Sequence, residues 1–371
     1  MLEHNFTGPQ FTVGVEEELM LIDADSLDLA QEIEAVMDAV PADMPGQVKP
    51  ELMQSVLEIA TEPCPDLRCA GDQLRTMRRE LARIAEERGL LVGAAGTHPF
   101  ANPADQLIVD RPRYKKLVAD LGWVARQELI FGTHVHVAIE GADKAIYVAD
   151  GVRRYLPLML ALSSNSPFWR GDNTQMMSAR TPVFRAFPRA GIPPHYGTWE
   201  IFSRRIELMI ESGAIDDYTY MWWDVRPHPK LGTVETRVFD QQTGLEHTLA
   251  LAALTLALCH RLSSLFDAAE PLNETPTELI DDNKVRAALR GLEGPLIDHP
   301  HARQRPATEM VRDLVAELGD DAEALDCASE LAGIEDLIEG GTGARRQLDA
   351  HGRDGDLREL VRELAGRTLP E

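Results

Sequence analysis

The sequence has few lysines, few cysteines and no excess of positive charge. Only six of its 37 basic residues are lysine, and its 61 acidic residues bring the formal net charge to -24, with a pI of about 4.8. A chain with this charge repels the phosphate backbone of nucleic acids and the anionic surface of membranes. The composition therefore predicts no nucleic-acid partner and no membrane partner.

Cysteine is equally sparse and unpatterned. The four cysteines are Cys64, Cys69, Cys259 and Cys327. They do not have the paired spacing of a zinc site, and they are too few for a secreted disulfide scaffold. The N-terminus has no basic region followed by an apolar stretch, and the longest mostly apolar run, residues 249–259, is too short to cross a bilayer. We therefore expect reduced thiols, a cytoplasmic protein and no membrane-spanning segment.

The chain does have the length and apolar content of a folded protein. Its 371 residues are 44% hydrophobic and 26% charged, close to the values of globular domains. We found no internal repeat, low-complexity tract or linker that divides it. We therefore predict one domain over residues 1–371, in which residues from about 245 onward are mostly helical.

Acidic residues interrupt an otherwise apolar strand near the N-terminus. Alternation over residues 11–22 (FTVGVEEELMLI) places Glu16 and Glu18 on one face and Glu17 on the other. Two neighbouring carboxylates repel each other unless a positive charge lies between them, and such hard oxygen ligands suit Mg²⁺ or Mn²⁺. A solvated edge strand is the ordinary alternative, and these residues alone do not decide between the two.

Three further segments are predicted strands with polar residues among apolar neighbours. They are residues 54–61 with Glu58, residues 132–139 with His134 and His136 on one face, and residues 233–240 with Glu235, Arg237 and Phe239 on one face. Taken singly, these residues have ordinary explanations: a salt bridge, two core histidines and an exposed cross-strand pair. Four such strands in one chain favour a shared site for metal and phosphate.

A long segment between residues 163 and 198 has no periodic pattern. Unstructured connections of this length are uncommon in compact domains unless they bind something. One acidic residue, Asp172, accompanies four arginines: Arg170, Arg180, Arg185 and Arg189. We predict that this segment binds an anion and closes over it, and the alternative is a structural loop at a subunit interface.

Five blocks of sequence, in order, resemble the type 2 glutamate–cysteine ligase, or carboxylate–amine ligase, family. They are residues 14–18 (GVEEE), 51–61, 132–136 (GTHVH), 171–174 with 178–180, and 223–237. The resemblance implies an α+β fold of the glutamine synthetase-like catalytic type, in which a curved antiparallel β-sheet forms a funnel and helices pack on its outer face. It covers roughly residues 10 to 245 and is carried by the combination of blocks.

The resemblance also implies an activity. An ATP-dependent ligase of this kind joins a carboxylate to an amine through an acyl phosphate, with glutamate and cysteine as the expected small-molecule substrates and Mg²⁺ or Mn²⁺ as cofactor. The alternatives are a ligase for another amine, an ATP–guanidino phosphotransferase, and an inactive nucleotide- or metal-binding protein. A homodimer is compatible with all of these readings.

The family pattern implies metal ligands at Glu16, Glu51 and Glu58 and at Glu18, His134 and Glu235, and a phosphate or carboxylate contact at Arg237. We further predict phosphate or carboxylate contacts at Arg180 and Arg185 of the long segment, and nucleotide contacts at Asp224, Arg226 and Lys230. Glu51 is out of phase with Glu58 for one regular strand, so it requires a bulge or a loop position. We also expect that loss of Glu235 abolishes turnover and slightly raises stability, because it removes one like charge.

Overall fold

The structure, a computed structural model, describes residues 1–370; Glu371, the last residue of the predicted helical region, lies outside them. The strands are β1 (Val13–Asp23), β2 (Gln47–Pro50), β3 (Val56–Ala60), β4 (Leu90–Gly93), β5 (Gly132–Ala138), β6 (Phe168–Trp169), β7 (Asp172–Asn173), β8 (Val225–His228), β9 (Thr233–Asp240), β10 (Pro295–Asp298) and β11 (Arg303–Pro306).

The α-helices are α1 (Ile33–Met37), α2 (Leu67–Glu86), α3 (Pro112–Leu121), α4 (Ala142–Val152), α5 (Leu156–Ser163), α6 (Arg180–Arg185), α7 (Trp199–Glu211), α8 (Leu245–Asp267), α9 (Thr277–Arg290), α10 (Ala307–Glu317), α11 (Gly319–Ala324), α12 (Ala328–Ala332), α13 (Ile334–Glu339), α14 (Gly343–Asp354) and α15 (Leu357–Thr368). Short 3-10 turns occupy Pro103–Asp105, Ala125–Gln127, Arg153–Tyr155, Tyr218–Tyr220 and Gly291–Glu293.

One antiparallel sheet organises the fold. Its strands follow the order β2-β3-β1-β5-β9-β8, and β4 pairs with the end of β1. Alternate residues of β1 and β5, including Val15, Leu19, Val135 and Val137, enter the main apolar core, where α2, α4, α5 and α8 cover one face of the sheet. The opposite face carries the polar residues of the same strands, as the period of two predicts.

The helix α2 begins with a capped first turn. Asp66 caps the helix, because its Oδ1 accepts a hydrogen bond from the backbone N–H of Cys69 at 2.8 Å. The same turn brings two cysteines together, with the Sγ atoms of Cys64 and Cys69 2.7 Å apart. The sequence pattern, which showed only scattered cysteines, did not predict this pairing.

The apolar run at residues 249–259 belongs to the longer helix α8. The whole of α8 has the length and composition to cross a membrane, but 67% of its most apolar stretch is buried inside the protein. It packs against β5, α2, α4 and α12. The hydrophobicity of α8 is therefore that of a central core helix.

The predicted position of Phe239 on the face of Glu235 and Arg237 is wrong. The register between β5 and β9 shifts by one residue, so Val135 lies opposite Thr236 whereas Thr133 lies opposite Phe239. An inserted residue of this kind reverses which face the following side chains occupy. Phe239 therefore packs in the helix-covered core.

His98 provides a pH-dependent contribution to stability. Its Nδ1 accepts hydrogen bonds from the N–H groups of Phe100 and Ala101, at 3.3 and 3.0 Å, and its Nε2 donates to the carbonyl of Leu27 at 3.0 Å. This arrangement requires the neutral ring, and burial lowers the pKa of His98 to about 4. The contribution is therefore present near pH 7 and is lost as the pH falls from the unfolded value, about 6.5, towards 4.

We expect the free energy of unfolding to depend less on pH in His98→Asn than in the wild type. Asparagine can still accept from the two N–H groups but does not titrate. Between pH 7 and pH 5 the wild type should lose about 2 kcal/mol more than the variant. Urea unfolding at the two pH values measures this difference, and equal losses in the two proteins would contradict it.

Candidate active site

The register of the sheet brings the polar residues of four strands onto one surface. Residues directly opposite each other in antiparallel strands point to the same face. Three such pairs are Glu16 with His134, Glu18 with Glu58, and His136 with Glu235. Glu17 points to the other face, as predicted, and is fully buried there.

Two histidines lie among these carboxylates. His134 Nδ1 is 2.9 Å from Glu16 Oε2, and its Nε2 is 4.0 Å from Glu18 Oε1. His136 Nε2 is 3.4 Å from Glu16 Oε1 and 4.0 Å from Glu235 Oε1. Glu16 therefore links the two histidines, and the site contains both members of the predicted pair.

Glu51 occupies the loop position that its spacing from Glu58 requires. It follows β2 directly, and its side chain shares a hydrogen bond with Glu58. Burial and the charge of Glu58 raise the pKa of Glu51 well above its usual range, while burial and the charge of Glu16 raise the pKa of Glu58. Lys49 Nζ, 3.2 Å from Glu58 Oε1, offsets only part of this negative charge. The metal-free group is therefore electrostatically unfavourable when fully ionised.

Glu235 lies between two arginines. Arg226 binds it through Nε and Nη2, at 2.6 and 3.2 Å, and Arg237 Nη1 lies 2.5 Å from Oε1. Although burial favours the neutral acid, the charges of Arg226 and Arg237 hold the pKa of Glu235 well below its usual range. The expectation that losing Glu235 raises stability is therefore wrong in its reasoning, because two buried guanidinium groups would lose their counter-charge.

The arginines at the two ends of α6 face different environments. Arg180 is buried, and its guanidinium donates to the carbonyls of Val238 and Arg237 at 3.5 and 3.3 Å. Arg185 is about half exposed, and its Nη2 lies 3.5 Å from Asp281. Five residues of helix turn a side chain well away from its starting direction. The structure thus brings Arg180, and not Arg185, to the polar surface, and Arg185 has the acidic neighbour that the sequence did not reveal.

The three residues assigned to the nucleotide do not lie together. Asp224 forms a buried ion pair with Lys284 at 2.6 Å. Arg226 is held by Glu235 and by the carbonyls of Thr219 and Met221. Lys230 is exposed at the turn between β8 and β9. Of the three, Arg226 reaches the cavity formed by the polar surface.

Two cavities meet at this surface. One of about 310 Å³ is lined by acidic, basic and aromatic side chains, among them Glu16, Glu18, Glu51, Glu58, Glu128, His134, Arg226, Arg237, Tyr114 and Trp222. Arg180 lines a small recess that shares Glu18, Glu51, Glu128 and Arg237 with it. The other cavity, of about 500 Å³, is lined by Lys49, Thr61, His136, Leu231 and Thr233 among others. Glu16 lines both cavities, so its side chain lies at the boundary between them.

Three site residues were not assigned from the sequence. His136 was placed on the right face but was given no role, and alternation was the available signal. Lys49 lies opposite Glu58 in the register of β2 and β3, which only strand pairing reveals. Glu128 follows the turn Ala125–Gln127 in a segment without periodic pattern, so no sequence signal identified it.

The residues present fit a divalent cation. One ligand atom each from Glu16, His136 and Glu235 lies within 4.8 Å of the others. His136 Nε2 is buried and, although Glu16 Oε1 lies 3.4 Å away, it has no partner in hydrogen-bond geometry among residues 1–370. Carboxylate oxygens with one imidazole are suitable ligands for Mg²⁺ or Mn²⁺. This group differs from the family-based assignment in containing His136, whereas His134 lies between Glu16 and Glu18.

Comparisons with known proteins agree with this architecture. The sequence model of glutamate-cysteine ligase family 2 matches residues 12–363. A Rubrobacter xylanophilus protein provisionally named glutamate–cysteine ligase 2-1 is 42% identical over 360 residues, covering 97% of this chain and 95% of its own. A Sorangium cellulosum protein with the provisional name glutamate–cysteine ligase 2 is 39% identical over 357 residues, covering 96% and 95%.

Solved structures show the same fold. The glutamate–cysteine ligase of Francisella tularensis, in complex with AMP, superposes with a TM-score of 0.69 at 13% identity, covering 99% of this chain and 90% of its own. A bifunctional glutathione synthetase from Pasteurella multocida gives a TM-score of 0.65 at 17% identity, covering 97% of this chain and 53% of its own. The predicted α+β fold and the predicted ligase of the glutamate–cysteine type are confirmed. The chain belongs to glutamate-cysteine ligase family 2.

Proposed function

We propose that the protein uses ATP and Mg²⁺ or Mn²⁺ to join the carboxylate of glutamate to the amine of cysteine. One observation carries this proposal: carboxylates and histidines from four strands separate two cavities, and buried arginines lie on the same surface. An amide-forming ligase needs this combination, because it must hold a nucleotide and a carboxylate on two sides of one phosphoryl-transfer centre.

The chemistry follows from the low reactivity of a carboxylate. Transfer of the γ-phosphoryl group of ATP to the substrate carboxylate forms a mixed anhydride and releases ADP. The amine nitrogen then attacks the activated carbon, the new C–N bond forms, and the C–O bond to phosphate breaks. Phosphate is a good leaving group, whereas the oxide ion that an unactivated carboxylate would have to expel is not.

Two sets of side chains would hold the metal ions. Glu16, Glu51 and Glu58 form one proposed set, and Glu18, Glu235 and a histidine form the other. His136 is an additional candidate in the second set because its buried Nε2 has no partner in hydrogen-bond geometry among the described residues. When bound, divalent ions neutralise the charge of the phosphate oxygens as it shifts during transfer. The raised pKa values of Glu51 and Glu58 support a binding site for cations here.

Arg237 and Arg180 are the proposed anion contacts. The Nε atom of each is buried and has no acceptor among residues 1–370, so each retains a donor for a ligand. Charge-assisted hydrogen bonds from such groups favour phosphate or carboxylate oxygens. Arg237 lines the 310 Å³ cavity, and Arg180 lines the recess that adjoins it. This smaller of the two cavities is the proposed site of glutamate and the amine.

The larger cavity is the proposed nucleotide site. Its volume is about 500 Å³, and Glu16 connects it to the proposed metal group. Lys230 is a proposed phosphate contact at its rim, since the adjacent Leu231 lines the cavity. Arg226 would act by holding Glu235, and Asp224 by its ion pair with Lys284.

The test is a panel of amino acids and amines incubated with glutamate, ATP and Mg²⁺, with ADP, phosphate and amide measured together. A ligase releases the three products in equal amounts. A guanidino phosphotransferase forms ADP without phosphate, and an inactive binding protein forms none of them. The same panel identifies the amine, because only the preferred acceptor should couple ATP use fully to amide formation.

Arg180→Gln is expected to lower the rate of ligation by roughly tenfold or more, because a charge-assisted hydrogen bond is worth about 1.5 to 3 kcal/mol. Arg185→Gln tests the second arginine of the predicted anion-binding segment in the same assay. A matching loss would mean that α6 moves when substrate binds, since Arg185 now faces Asp281. Wild-type rates in Arg180→Gln would remove the proposed role of Arg180.

The remaining proposals concern the context of the enzyme. We propose a single catalytic domain over residues 1–371, a cytoplasmic location and a homodimer. The dimer is tested by sedimentation equilibrium of the purified protein.

A further inference from the structure

Glu128 is an acidic residue of the smaller cavity that the proposed phosphoryl-transfer chemistry leaves unused. It follows the turn Ala125–Gln127 and precedes β5, and its side chain is only partly exposed. It lines the 310 Å³ cavity and the recess beneath Arg180, and it is absent from the residues found around the larger cavity. Glu128 therefore lies on the side proposed for glutamate and the amine.

The Glu128 carboxylate has no hydrogen-bond or ion-pair partner among residues 1–370. It shares the recess with Arg180 and Arg237, whose guanidinium groups donate instead to backbone carbonyls and to Glu235. A partly buried carboxylate without a cationic partner is energetically unfavourable. The nearby arginines suit the anionic parts of a substrate, so the missing partner is a positive group that arrives with a substrate.

We propose that Glu128 binds the ammonium group of the acceptor amine and takes the proton that this group must lose. The inference rests on the proposed ligase function and deepens it. The ammonium ion donates its proton to the carboxylate, which becomes a carboxylic acid, and the neutral nitrogen attacks the acyl phosphate carbon. As the C–N bond forms, the C–O bond breaks with its electron pair on phosphate, and the second proton lost by nitrogen goes to the departing phosphate.

Hydroxylamine separates this role from a structural one. It is a nucleophile that is mostly neutral near pH 7, so it can trap the acyl phosphate as a hydroxamate without giving up a proton to the enzyme first. Cysteine is mostly an ammonium ion under the same conditions. A residue that acts only on the ammonium group should therefore matter for cysteine and not for hydroxylamine.

The experiment compares Glu128→Gln with the wild type, using cysteine and hydroxylamine in turn with glutamate, ATP and Mg²⁺. Amide formation with cysteine should fall about 100-fold, within the range for loss of a general base. Hydroxamate formation should be nearly unchanged, and raising the pH should partly restore the amide rate because more of the amine is then neutral. Glu86→Gln, at an exposed position of α2, is the matched control and should leave both rates unchanged.

Equal loss of both products in Glu128→Gln would overturn the assignment, because it would make Glu128 a part of the phosphoryl-transfer site or of the fold. Unchanged rates with both acceptors would overturn it as well. A wild type that forms neither amide nor hydroxamate would instead overturn the proposed function. If the wild type forms the hydroxamate but ligates another amine of the panel in place of cysteine, the comparison is made with that amine.

Discussion

Glu58→Gln is expected to lower the rate of ligation by at least about 1000-fold, because loss of a metal ligand removes several kcal/mol of transition-state stabilisation. The same change should leave the free energy of unfolding of the metal-free protein unchanged or higher. Glu58 is buried beside Glu16 and Glu18, whose negative charges oppose its ionisation, and it shares a hydrogen bond with Glu51. Glutamine keeps the size and the hydrogen-bonding capacity of the side chain while removing one charge.

The contribution of Glu58 to the free energy of unfolding changes with pH in one direction. A carboxyl group whose pKa is higher in the folded state binds its proton more tightly there, so the folded state loses stability as the pH rises through this range. Removing Glu58 therefore relieves most repulsion above the unfolded pKa of a glutamate, about 4.3, where Glu58 itself would ionise.

Three measurements check this prediction: the rate of glutamate- and amine-dependent ADP release, the binding of Mn²⁺, and urea unfolding in the presence of a chelator. The exposed Glu86→Gln variant is the control for loss of one negative charge. Retention of wild-type turnover and Mn²⁺ binding in Glu58→Gln would remove Glu58 from the proposed ligands. A large loss of stability in the metal-free variant would contradict the electrostatic explanation.

Glu17→Gln is expected to have the opposite profile, a large loss of stability with little effect on the folded enzyme's chemistry. Glu17 and Arg78 are both fully buried, and Arg78 binds Glu17 through Nε at 2.7 Å and Nη2 at 2.5 Å. Thr248 and Gln241 also donate to Glu17. Breaking a buried pair by removing one charge typically costs about 3 to 5 kcal/mol.

Arg78 also joins distant parts of the chain, which explains why the pair matters. Its guanidinium donates to the carbonyls of Gln242, Thr243 and Thr368, so it ties β1 to the start of α8 and to the end of α15. Urea unfolding of Glu17→Gln, Arg78→Met and the double variant measures the coupling. The double variant should lose less stability than the sum of the single variants, because it leaves no unpaired charge. A loss below about 1 kcal/mol in Glu17→Gln would contradict the prediction.

The sequence by itself determined the faces of the strands that build the site. Alternation separated Glu16 and Glu18 from Glu17 and put His134 with His136, because successive side chains of a strand point to opposite faces. The family motifs likewise depend on short local segments, and they identified the family and the fold. These properties need no knowledge of which strands become neighbours.

Tertiary structure alone decided which of these residues meet. Strand pairing placed Glu58 opposite Glu18 and Lys49, and the one-residue shift in β9 moved Phe239 to the helix-covered face. The direction of Arg180 into the site, the outward direction of Arg185 and the position of Glu128 likewise depend on contacts between segments far apart in the chain. Local periodicity cannot report such contacts, because register, bulges and the path of irregular segments are set by the packing of the whole fold.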